Sequence, residues 1–169
     1  MNSNFTRPGS TDVIDLKENA AVGASQNAAL DRLICFVVST LFDEKSNKRE
    51  LMISRSMFMP IARVTLIPRD RPMLASIIDI DELFRLREKL FFGTGKWIEA
   101  FRLHEEGTDD IRVHVNVSTD SNPMSCVLPR SADILFSVKT LSSGKWIIRS
   151  CNVVYDEARN ARSPVTLIS

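Results

Sequence analysis

Two histidines, three cysteines and a few paired acids are the residues of this chain whose types suit chemistry. His104 and His114 are the imidazoles available as bases, and either would need a nucleophile in reach and an acid to orient it. No serine stands in a G-x-S-x-G turn. His114 lies on the polar side of the alternating run 111–118, where a histidine reads as a surface residue. Glu105 and Glu106, and Asp109 and Asp110, fall in a loop-like stretch, while Asp79 and Asp81 open a helix; solvation and capping account for them. Cys35, Cys126 and Cys151 are odd in number, show no CxxC spacing and have no histidine nearby in sequence. They read as idle thiols of a reducing compartment, not as a zinc or redox site. The stretch GTGK at 93–96 lacks the full spacing of a phosphate loop and follows a helix instead of opening one. This inventory predicts no catalytic residue, no metal and no cofactor.

One charge asymmetry stands out. Lys45, Lys48, Arg49, Arg55, Arg63, Arg69 and Arg71 face only Glu44, Glu50 and Asp70 over residues 44–72. The whole chain, with 22 basic and 21 acidic residues, is near neutral at +1. Those seven cations form a candidate patch for phosphate groups, on a ribonucleoprotein or on lipid headgroups. No aromatic residues interleave with them for base stacking, so such a patch would bind without sequence preference.

The elements that would position these residues follow from patterning. With 169 residues, 44% apolar and 25% charged, the chain supports one domain with a single core. Residues 1–28 are poor in large apolar side chains and read as a flexible tail, with a candidate short helix over 12–21. The globular domain is expected over 29–156 and a carboxy-terminal tail over 157–169, whose apolar Val165, Leu167 and Ile168 could dock on a neighbour or on their own domain. The run DRLICFVVSTLF fits a helix or a strand, and its apolar faces on both sides favour a buried strand. A charged loop, DEKSNKRE, follows. Residues 61–67 read as a strand bracketed by Pro60 and Pro68. Residues 79–93 read as a helix with Asp79 as its cap, Glu82 completing a capping box, and Gly93 as a left-handed stop. A strand is expected over 97–104, with a helix as its alternative, and a strand over 111–118. A hairpin closes the pattern, with Ser142, Ser143 and Gly144 at its turn and Ile134, Phe136, Val138 and Trp146 on its apolar face. The expected class is α+β, an antiparallel β-sheet with one or two packed helices. No secretory signal or bilayer-spanning run occurs, so an intracellular protein that meets membranes only peripherally is expected.

The order of these pieces resembles the matrix proteins of rhabdoviruses. A strand, ARVTLI, leads to an Arg-Pro turn, PRDRP, then the capped helix, the GTGK turn and WIEAFRL; LFSVKTLSSGKWIIRSC comes near the end. The likeness covers residues 61–101 and 135–150. It implies a structural viral protein, not an enzyme, that self-associates, condenses the viral ribonucleoprotein and bridges it to an anionic membrane or a glycoprotein tail. It implies a virion location, with the host cytoplasm and internal membranes. The chain departs from animal-virus members: only Arg7 and Lys17 are basic before residue 30, and no PPxY motif is present. A plant-infecting, cytorhabdovirus-like member fits that departure better. A nuclear transport factor 2-like binding module or small enzyme is the alternative, since the terminal hairpin with GKW suits that curved sheet as well. An accessory viral protein acting on the host is a further one.

Overall fold

The computed structural model describes residues 24–92, 97–105, 110–119 and 129–157. The candidate helix over 12–21, the Gly93 stop, the 93–96 turn, the loop 106–109, Cys126 and residues 158–169 lie outside them.

Among the described residues, three α-helices and six strands follow in the order α1 (Ala24–Phe42), α2 (Lys48–Ser56), β1 (Phe58–Pro68), β2 (Ser76–Asp79), α3 (Ile80–Phe91), β3 (Trp97–Glu105), β4 (Asp110–Thr119), β5 (Ser131–Thr140) and β6 (Trp146–Tyr155). One sheet holds all six strands in the order β2-β1-β6-β5-β4-β3. Every neighbouring pair is antiparallel except β1 with β6, which run parallel. The α+β class expected from the sequence stands, with that one parallel pair added.

The run DRLICFVVSTLF is helix, not strand, and that overturns the sequence expectation. Its apolar residues lie on every side because α1 is buried on nearly every side, from Leu30 to Phe42. Its two hydroxyls are satisfied within the helix: Ser39 Oγ donates to Cys35 O at 2.6 Å and Thr40 Oγ1 to Val37 O at 2.9 Å. The charged stretch expected as a loop also hides the start of α2. Asn47 accepts from the Glu50 amide, and the Glu50 side chain accepts from the Asn47 amide, both at 2.9 Å, a complete capping box.

α3 matches its sequence pattern closely. Asp79 caps it by accepting from the Glu82 amide at 2.8 Å. Glu82 does not return the bond as the box pattern predicts; its carboxylate pairs with Arg85 one turn on. Ile80, Leu83, Arg87 and Phe91 form the buried face. The helix ends at Phe91, where Phe92 turns extended.

The sheet presents one apolar face to the helices. Val113, Val115 and Val117 of β4 meet Ile134, Phe136 and Val138 of β5, and Ile148, Cys151 and Val153 of β6 continue the layer. An extra residue at Arg149 breaks the β5–β6 register, and the β1–β6 register slips between Phe58 and Arg63 beside it. Bulges of this kind bend a strand and sharpen its twist, which curves the sheet around the helices. The closing turn forms as its residues predict: Gly144 sits at φ +80°, Leu141 N–H bonds Lys145 O, and Gly144 N–H bonds Leu141 O, both at 2.8 Å.

Candidate functional site

α1 carries the one carboxyl that lies in the core among the described residues. Asp31 is 8% exposed, and it forms no hydrogen bond or ion pair with a described residue. Burial alone pushes its pKa up to about 6. Helical spacing places Asp31, Cys35, Val38 and Phe42 on one stripe, because steps of four, three and four residues return to the same side. The Phe42 ring rests against Phe91 of α3, with centroids 4.2 Å apart. Asp31 therefore lies about 16 Å down the helix from that contact, on the same side. Arg32, the next residue, is exposed. A carboxyl held near pKa 6 is present in both protonation states around neutral pH, so it can take a proton from a bound molecule or give one.

Two buried arginines hold the helices that frame this stripe. Arg87 of α3 donates to Thr40 O at 2.8 Å and Asp43 O at 3.2 Å, closing the carboxy-terminal turn of α1, and lies over the Phe92 ring at 4.8 Å. Arg130 donates to Leu90 O in the last turn of α3 and to Asp156 O at 3.0 Å. Desolvation lowers the pKa of both guanidiniums, and the carbonyls they meet compensate for burial.

Cys151 brings no reactivity to the site. Cys35 and Cys151 are both buried, and burial pushes the Cys151 thiol up to about 12, far from the thiolate that reacts. His114 faces the opposite side of the sheet from the helices. There its Nε2 stands 3.2 Å from Asp133 Oδ1, which also accepts from Asn116 at 2.8 Å. Burial works to raise Asp133, but the bonds from Asn116 and Arg69 outweigh it and hold the carboxyl below its usual range. His104 belongs to β3.

The seven cations read as one patch are divided by β1. Lys45 is exposed in the turn after α1, and Lys48 and Arg49 in the first turn of α2. Lys48 and Arg49, with Met52, Ile53 and Ser56, line an open hollow of about 520 Å³ on α2. Arg55 makes a two-pronged pair with Asp81 at the start of α3. Arg63 is exposed on β1, across from Asp79. Arg69 and Arg71 follow the far end of β1, about 30 Å from its start by strand length. Arg69 binds Asp133 at 2.9 Å and Asp156 at 2.7 Å, and Arg71 binds Glu157. Arg55, Arg69 and Arg71 thus already have carboxylate partners, and the strand separates the last two from the α2 group.

Sequence reasoning passed over Asp31 because a strand assignment gives it no stripe to share. The signal was available: a single acid at the head of a run that is otherwise apolar on all sides.

No protein-family model matches the chain, and no curated protein matches it by sequence. Solved structures do match. An NTF-2 like protein of unknown function from Silicibacter pomeroyi superposes with a TM-score of 0.54 at 17% identity, covering 82% of this chain and 100% of that one. An NTF2-like protein of unknown function from Shewanella baltica gives 0.53 at 18%, covering 79% and 97%. Hexachlorocyclohexane dehydrochlorinase LinA-type3 from Novosphingobium barchaimii gives 0.56 at 14%, covering 81% and 90%. The fold is NTF2-like.

That finding corrects the resemblance to rhabdovirus matrix proteins. The strand, turn, helix and hairpin order quoted for it is the order of an NTF2-like sheet with its helices. The expected ribonucleoprotein, membrane and self-association partners and the virion location lose the resemblance on which they rested. The expectation of a non-enzyme is corrected as well, because a dehydrochlorinase shares this fold. At these identities the likeness is one of fold, and what the site does has to be argued from its residues.

Proposed function

We propose that the chain is an NTF2-like module that binds a small, largely apolar molecule between α1 and the inner face of the sheet, with Asp31 as the proton-handling group. One observation carries this reading: a nearly buried carboxyl with no described partner and a pKa near 6. A core acid without a partner costs stability and contributes nothing to packing. Groups shifted by burial in this way cluster at functional sites. The surrounding side chains, Leu30, Ile34 and Cys35, are apolar or nearly so and suit an apolar ligand. The dehydrochlorinase of the same fold is an enzyme acting on a compact apolar substrate, which supports a proton-transfer enzyme as the active form of this reading.

The neutral fluorophore N-phenyl-1-naphthylamine tests it. Saturable binding that tightens below pH 6, where Asp31 is neutral, is the expected result. In Asp31→Asn the pH dependence should vanish while binding persists. Absence of saturable binding, or an unchanged pH profile in Asp31→Asn, would overturn the proposal.

A further inference from the structure

Among the described residues, nothing pairs with the outer edge of β2. β2 is four residues long, pairs with β1 on one side only, and stands last in the strand order. Open edges offer unpaired N–H and C=O groups, and proteins commonly cover, charge or shorten them. Here the edge is apolar instead. Ile77 of β2 is 68% exposed and Ile61 of β1 is 79% exposed. Met73 and Leu74, in the 3-10 turn Pro72–Leu74 that leads into β2, are exposed as well. Three of the large exposed apolar side chains among the described residues, Met73, Leu74 and Ile77, thus follow this one edge; Ile61 lies on β1 just beyond the Asp79 end of β2, and Met52 and Ile53 lie on α2.

The chain leaves β6 close to it. Arg69 N–H bonds Tyr155 O at 2.9 Å, and the Arg71 side chain holds Glu157, so the end of β6 is fastened to the segment just before the 3-10 turn. β1 and β6 run parallel and β2 runs back along β1, which puts the exit from β6 and the Ser76 end of β2 at the same end of the sheet. From β6 to a position outside β2 is three strand spacings, about 14 Å. Residues 158–164 span up to about 23 Å when extended. Next come Val165, Thr166, Leu167 and Ile168, four residues of strand-forming type. Their number equals the length of β2, and they approach from its Ser76 end.

We propose that residues 165–168 add to β2 of the same chain as a parallel seventh strand, covering Ile77 and the free edge. Pro164 suits the first position, where no ladder donor is needed. The arrangement is strand addition with the strand supplied in cis.

Hydrogen exchange on the full chain tests this, read at the β2 amides that point away from β1. Protection of these amides is expected, unchanged on tenfold dilution. It should be lost in the double variant Thr166→Pro and Leu167→Pro, adjacent positions that remove a ladder donor whichever side of the strand faces β2. Protection of β5 in that variant reports that the domain is still folded. Outward β2 amides that exchange freely in the wild-type chain would overturn the proposal, as would protection that survives the prolines. Protection that fades on dilution would assign the edge to a second copy and overturn it too.

Discussion

Asp31 shows how a residue can be plain in sequence and invisible in role. An acid at the head of an apolar run has an ordinary explanation as the boundary of that run. Only the helix, by returning every third or fourth residue to the same side, carries it inward with Cys35 and Val38. The consequence for stability has a definite sign. The folded pKa of about 6 lies above the ordinary value of 3.8, so between those values the folded state retains a proton that the unfolded chain has released. Stability therefore falls as pH rises through that window and levels off above it. The full penalty is on the order of 2–3 kcal/mol. Asp31→Asn is neutral throughout, so its melting temperature should exceed that of the wild-type chain at pH 7.5 and approach it near pH 4. Thermal melts at the two pH values check this, and equal differences at both would contradict it. The two core arginines were only half legible. Arg87 falls on the apolar stripe of α3 in the sequence, but the carbonyls of α1 that it closes are 47 and 44 residues away. No local pattern could supply them.

Elements with strict alternation or strong caps were legible, and elements decided by their surroundings were not. The valines of β4 and the closing hairpin declare a half-buried sheet through period two alone. α1 does not declare itself, because burial on all sides removes the polar stripe that marks a helix. α2 was written in the capping box of Asn47 and Glu50 but masked by the charge around it. β2, at four residues and mostly exposed, has too little pattern to read. Gly144 permits a clean test of turn chemistry. A Cβ placed there meets nothing within 4 Å, so only the positive φ opposes a side chain. Gly144→Ala should cost about 1 kcal/mol. Gly144→Asn should cost less, because asparagine tolerates this region. Chemical denaturation measures both, and an alanine variant as stable as the wild-type chain would contradict the assignment.

At the scale of the molecule, fold class was readable and family was not. Strand, turn, helix and hairpin in that order describe many α+β sheets, so a shared order carried the resemblance to viral matrix proteins further than it could bear. Superposition tests what order cannot: where the strands lie and which face the helices cover. The candidate basic patch is spread out in space for a related reason. Seven cations close in sequence are drawn apart by the length of β1, and Arg55, Arg69 and Arg71 are matched to acids from distant segments. What the molecule offers instead is an NTF2-like frame around a buried acid. The central claim is that this acid is held out of water and ready to exchange a proton. The side-chain carboxyl ¹³C shift of Asp31, followed against pH in the full chain, tests it most directly. A midpoint near pH 6 is predicted. A midpoint near pH 4 would show a solvated carboxylate and contradict the claim.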